Sequence, residues 1–290
     1  MQVVGSSNLP IPTNFLPPLL LITNDDGVQA PGLRALALAV ASLGDVYVVA
    51  PDREVSACSQ SLTLKNPLRA EPLDTRVWSV DGTPADCVNL ALVKLLPRRP
   101  DVVLSGINRG ANLGEDVFYS GTVGGAREGV FFGVPAIAMS LVTSAHGDYG
   151  PAAAFASRLA ALVIEHGLPE RTLLNVNVPS GAATTAVVTV QGRRYHEGTI
   201  MEGVDPRRRT YYWIEEGSDK WLADEMSDIH AVRRGLISVT PLQTDTTHHG
   251  ALSALRGWEA ALRNGHEGPP AGVAEPLPPP GARRDEDPGS

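Results

Sequence analysis

Cysteine is nearly missing: Cys58 and Cys87 are the only two in 290 residues. That is too few for a disulfide framework, and neither has the C-x-x-C or histidine spacing of a zinc site. A reducing compartment is expected. Basic charge is also in deficit, with 24 Lys plus Arg against 32 Asp plus Glu and a formal net charge of −8. A protein built to grip a nucleic-acid polymer has the opposite balance, so none is expected as a partner. No uninterrupted apolar run approaches the roughly 20 residues that cross a bilayer. The start, M-Q-V-V-G-S-S-N-L-P, carries no basic residue ahead of its apolar ones, as a secretory signal would. The sequence therefore predicts a cytoplasmic protein without a membrane. Absent too are G-x-x-x-x-G-K-[ST] and G-x-G-x-x-G, which removes the specific signals of a P-loop NTPase and of a dinucleotide oxidoreductase.

What is present is an ordinary globular composition, 43% hydrophobic and 19% charged, enough to bury a large core. Residues 1–18 form a Pro-broken N-terminal extension, and 266–290 read as a disordered Pro-rich tail with little to bury. Between them, over 19–265, short apolar runs alternate with helical periodicity, the pattern of an α/β fold with a mostly parallel sheet. Strands are predicted at 19–23, 46–50, 77–80, 101–105, 136–140 and 173–178. Helices are predicted from Pro31, from Pro84, over 121–132 and over 152–166. From about 187 to 240 the chain turns to β-like segments separated by polar stretches, read as an excursion from the main sheet. A last helix is expected around 251–262.

In a doubly wound sheet, ligands bind beyond the carboxyl ends of the strands, so the polar residues there carry the chemistry. Asn24, Asp25 and Asp26 follow the first strand. Adjacent carboxylates repel unless a cation or a proton lies between them, so the pair points to a metal, although an isolated D-D-G more often caps a turn. Ser56 and Asn108, from neighbouring strand ends, offer a hydroxyl and an amide oxygen. Together the four make an all-oxygen set suited to Mg²⁺, Mn²⁺ or Ca²⁺ rather than zinc. The loop S-G-I-N-R-G-A-N-L-G, with Gly106, Asn108 and Asn112, lets backbone approach a ligand. Ser120, Gly121 and Thr122 stand where a helix begins, a seat for an anion or simply an N-cap.

These stretches resemble the SurE family of survival-protein nucleotidases. The matching runs are L-I-T-N-D-D-G-V-Q-A-P-G-L at 21–33, V-V-A-P-D-R-E-V-S-A at 48–57, G-T-P-A-D-C-V at 82–88 and S-G-I-N-R-G-A-N-L-G at 105–114. Y-S-G-T-V at 119–123, L-N-V-N-V-P at 174–179 and I-S-V-T-P-L at 237–242 complete them. The resemblance implies a Rossmann-like α/β core with a β-hairpin extension and a C-terminal segment exchanged between subunits of a homodimer or homotetramer. It implies one divalent ion per subunit, Mg²⁺ or Mn²⁺, held by Asp25, Asp26, Ser56 and Asn108. Asn24 is placed with the two aspartates in the catalytic set, and Gly106, Asn108, Asn112, Ser120, Gly121 and Thr122 surround the phosphate. The implied reaction is hydrolysis of nucleoside monophosphates by a 5'-nucleotidase, with 3'-nucleotidase and exopolyphosphatase activity left open. The alternative is a module that binds nucleotide without turning it over.

Overall fold

The computed structural model describes residues 16–143, 147–181, 183–194, 199–215, 221–259 and 262. Residues 1–15 of the expected N-terminal extension and the whole of the expected tail at 266–290 lie outside them. The chain divides into two compact units, Met1–Thr244 and Asp245–Ser290.

In chain order the first unit contains β1 (Leu19–Thr23), α1 (Pro31–Val40), β2 (Asp45–Pro51), β3 (Ala70–Asp74), β4 (Val77–Val80) and α2 (Pro84–Leu90). It continues with β5 (Val102–Arg109), α3 (Gly121–Phe131), β6 (Ala136–Val142), α4 (Gly150–His166) and β7 (Thr172–Pro179). Then follow β8 (Ala186–Val188), β9 (Thr199–Val204), β10 (Thr210–Glu215), α5 (Asp228–Arg233) and β11 (Ile237–Gln243). The second unit contains a 3-10 turn at His249–Ala251 and α6 (Leu252–Arg256), within the span predicted for the last helix.

Nine strands form one sheet in the order β3-β4-β2-β1-β5-β6-β7-β11-β8, and β9 pairs antiparallel with β10 as a separate hairpin. The pairings from β4 to β7 are all parallel, while β3 and β11 run antiparallel to their inner neighbours. From β1 the chain builds outward through β2 to β4. It then returns to pair β5 against the other side of β1. The switch point of the sheet therefore lies between the carboxyl ends of β1 and β5, the place where such sheets bind ligands.

Strand β1 shows why this sequence makes a two-faced sheet. Leu19–Thr23 is buried throughout, so it reads as a continuous apolar run rather than an alternating one. Leu20 and Ile22 pack into a cluster with Leu33, Leu36 and Val40 of α1 and Ala156, Ala160 and Val163 of α4. Leu21 points the other way, into a cluster with Val88 of α2 and Val123, Ala126 and Val130 of α3. Each fully buried Leu or Ile contributes about 1.5–3 kcal/mol. Helix α1 begins at Pro31, whose missing N–H is no loss there. Helix α2 begins with a reciprocal capping box between Thr83 and Asp86.

Four elements depart from the sequence-based expectation. Strand β5 does not stop at Ser105 but runs to Arg109, with a register shift between Ser105 and Asn108. Gly106 disguised it, because glycine reads as a breaker. A Cβ at Gly106 would lie 2.3 Å from the carbonyl oxygen of Met139 in β6, so this glycine serves strand packing. Strand β3 was unread because it is a mostly exposed edge containing Pro72, without an apolar face. Strand β9 carries Glu202 and Gly203, which hide its alternation. Helix α5 has six residues, shorter than any window in which helical period is visible.

Candidate active site

The polar ends of β1 and β5 meet at the switch point. Asn24 is fully buried and closes the turn after β1 by donating from Nδ2 to the Gly27 carbonyl at 3.0 Å, while its Oδ1 has no partner among the described residues. Asp25 is 5% exposed. Its main-chain oxygen accepts from Val55 N–H at 2.8 Å, which draws in the loop after β2 that carries Ser56. One carboxylate oxygen of Asp25 accepts from Thr122 N–H at 3.1 Å and the other from the Thr122 hydroxyl. Asp26 faces β5 instead, where its Oδ2 accepts from Arg109 N–H at 3.2 Å.

The electrostatics follow from this crowding. Burial pushes the Asp25 carboxyl above its ordinary value, against the pull of the Thr122 hydrogen bonds. Burial also raises Asp26, and the adjacent Asp25 charge adds to it, bringing Asp26 to about 6. Glu54 acts on both in the same direction. The adjacent Asp25 and Asp26 carboxylates thus favour either a proton or a cation between them.

Helix α3 begins against Asp25. Ser120 caps it by accepting from Val123 N–H at 3.1 Å. Gly121 leaves no room for a side chain: a Cβ there would lie 2.6 Å from Cys58 Sγ and 2.9 Å from both Cβ and Oδ2 of Asp25. Both donors of Thr122 are spent on Asp25, Val123 N–H on Ser120 Oγ and Gly124 N–H on the Ser120 carbonyl. Among the described residues, the first turn leaves only the Gly121 N–H and the Ser120 hydroxyl proton for a ligand.

The other sequence-predicted residues are distributed as follows. Ser56 is exposed and donates to Glu54 Oε1 at 2.9 Å. Its loop is anchored further on by Ser59 N–H to the Tyr119 carbonyl, 2.9 Å, and Gln60 Nε2 to the buried Glu128, 2.7 Å. Asn108 spends Nδ2 on the Gly110 carbonyl at 3.0 Å, which frees its Oδ1 as an acceptor. Asn112 is engaged elsewhere. Its N–H donates to Asn177 Oδ1 at 2.8 Å, and its carbonyl accepts from Asn175 Nδ2 and Asn177 Nδ2 at 2.8 and 3.0 Å. Its own Nδ2 donates to Ser140 Oγ at 2.8 Å. Gly114, two residues on, donates to Asp228 Oδ2 at 2.9 Å, and Asp228 Oδ1 accepts from Gly192 N–H at 2.9 Å.

Three features escaped the sequence reading. Asn175 and Asn177 sit at alternate positions of an otherwise apolar strand, a period-2 polar signal on one face of β7. Glu54 lies between the motif residues Asp52 and Ser56. Arg109 stands inside the glycine-rich loop, where its charge was the available signal.

Comparison with known proteins matches residues 20–198 to the family described as Survival protein SurE. A protein of Geobacter metallireducens named 5'-nucleotidase SurE is 53% identical over 246 residues, covering 83% of this chain and 98% of that one. Another of that name from Geotalea daltonii is 55% identical over 244 residues, again 83% of this chain and 98% of the relative. The crystal structure of the SurE protein from Aquifex aeolicus superposes with a TM-score of 0.75 at 42% identity, covering 83% of this chain and all of that one. The carboxylate pair, the Ser56 loop and the start of α3 all fall inside the matched span, and with identity of this order over nearly whole relatives the chain belongs to the SurE family.

Proposed function

We propose that the protein is a divalent-metal-dependent 5'-nucleotidase that hydrolyses nucleoside monophosphates to nucleoside and phosphate. The observation that carries this reading is the Asp25–Asp26 pair at the switch point, one member buried and clamped by Thr122 and the other raised to about 6. The nucleotidase names of relatives at 53% and 55% identity support the same reaction.

The donor set fits a hard divalent cation. Among the described residues no three His, Cys, Asp or Glu side chains form a metal-holding group. An ion here would rest on Asp25 and Asp26 with the neutral oxygens of Ser56 and Asn108, a set that would suit one Mg²⁺ or Mn²⁺ per subunit. Such an ion, when bound, supplies Lewis acidity and charge neutralisation to the phosphoryl group. Asp25 already accepts on both oxygens, whereas Asp26 uses Oδ2 on Arg109 N–H and keeps Oδ1 to orient the attacking water. The Ser120 hydroxyl and Gly121 N–H donate to phosphoryl oxygens as charge shifts in the transition state. Thr122 acts one step back, holding Asp25. Gly106 and Asn112 shape the loop rather than spend free donors on the substrate. Asn24 fixes the turn that presents both aspartates.

The subunits are proposed to pair as a homodimer or homotetramer with exchange of the C-terminal segment. Supporting this, the β9–β10 hairpin exposes Ile200, Tyr212, Trp213 and Ile214, apolar surface that a partner would cover. Reaction and metal are tested by chelating the protein, restoring Mg²⁺ or Mn²⁺, and measuring phosphate release from nucleoside 5'- and 3'-monophosphates. Release that requires metal and is lost in Asp25→Asn and Asp26→Asn supports the reading. No release with either ion overturns it.

A further inference from the structure

The donors at the start of α3 are mostly committed, which leaves a gap in charge balance. A phosphate monoester bound here meets Asp25 and Asp26, and from the helix it receives one N–H and one hydroxyl. A single divalent ion shared by two carboxylates brings little net positive charge to a dianion. A further cation would add stabilisation where charge gathers on the phosphoryl oxygens.

Arg109 is placed to supply it. Its backbone is pinned to the site because its N–H bonds Asp26 Oδ2 at 3.2 Å, and it follows directly on Asn108 at the carboxyl end of β5. The residue is exposed, and among the described residues its guanidinium makes no hydrogen bond or ion pair. Arg53, on the loop after β2, is by contrast held by Asp52 at 2.7 Å. An unpaired planar fork of donors matches the geometry of phosphate oxygens.

We infer that the Arg109 guanidinium is a substrate-binding group that contacts the phosphoryl oxygens of the nucleotide, setting the preference for dianionic phosphomonoesters. This rests on the nucleotidase reading, and the experiment separates the two. Full-length, Mn²⁺-loaded wild type, Arg109→Lys and Arg109→Ala are compared by calorimetric titration with inorganic phosphate, by inhibition with adenosine and by kcat/KM for a nucleoside 5'-monophosphate. Arg109→Ala is expected to weaken phosphate binding and kcat/KM by about 10- to 100-fold, the worth of a charge-assisted hydrogen bond. Adenosine inhibition and Tm should stay at wild-type values, Arg109→Lys should fall between, and added guanidinium ion should restore part of the alanine variant's activity. Unchanged phosphate affinity in Arg109→Ala, or equal loss of phosphate and adenosine binding, overturns the assignment while wild-type turnover keeps the nucleotidase reading. Arg109-dependent phosphate binding without wild-type turnover of any nucleotide does the reverse.

Discussion

Replacing Gly121 by alanine tests the packing seam on which the site depends. The added methyl would sit 2.6 Å from Cys58 Sγ and 2.9 Å from two atoms of Asp25, all closer than van der Waals contact. Overpacking of this kind costs about 1–3 kcal/mol. For a chain of this size, each kcal/mol lowers Tm by roughly 2–4 °C, so a fall of roughly 2–12 °C is expected in calorimetry. The two contacts have different consequences. Relieving the thiol contact with Cys58→Ala in the Gly121→Ala background should recover part of the lost Tm, because the half-buried sulfur is one side of the clash. It should not recover Mn²⁺ affinity or kcat/KM, because the methyl still presses on the carboxylate of Asp25. A Gly121→Ala protein with wild-type Tm, metal affinity and kcat/KM would refute the seam. Full functional recovery in the double variant would show that the methyl acts through Cys58 alone.

Two further outcomes follow from the carboxylates. Thr122→Val keeps the backbone donor to Asp25 but removes the hydroxyl, at about 1–3 kcal/mol; the Asp25 pKa, already raised by burial, should rise further and carry the acid limb of the kcat/KM profile to higher pH, and superposable profiles would refute this. Asp26 is raised from 3.8 to about 6 in the folded protein, so between those values the native state binds more protons than the unfolded chain. Stability of the chelated protein should therefore fall as pH rises through that window and then level off, while divalent-ion affinity should climb as Asp26 ionises. Urea midpoints measured across the window should show a weaker slope for Asp26→Asn, and an unchanged slope would assign the effect to other groups.

Much of this was legible in the residues, and the physical reasons for the rest are specific. β1 and β6 are buried on both faces and bounded by turn residues, so apolar runs located them. The long helix α4 announced itself through its alanine-rich stripe, expected over 152–166. The extension of β5 was hidden by Gly106, since one letter cannot distinguish a glycine that breaks a strand from one that lets two strands approach. At the site, the repelling pair Asp25–Asp26 and the helix start at Ser120 were visible as patterns. That Thr122 spends its donors on Asp25, and that Asn112 answers to Asn175 and Asn177, depends on separations of 97, 63 and 65 residues that no local pattern encodes. Arg109 was visible but mute, because an unpaired cation is defined by what does not surround it.

The loop from Gly110 to Gly114 is tied at two closely spaced points. Asn175 and Asn177 grip both main-chain groups of Asn112, and Asp228 grips the N–H of Gly114, leaving Leu113 alone between the fastenings. Leu113 is itself buried, so it offers no hinge. This loop is therefore set during folding, and a ligand meeting it, as the proposed site requires, would find a surface whose ordering entropy has already been lost. Selectivity along such a wall would rest on shape: a ligand of the wrong shape would be refused rather than accommodated. The same fastening ties the loop to α5, which carries Asp228, so that a length change between Gly192 and Asp228 would be felt at Gly114 without altering any residue of the proposed site.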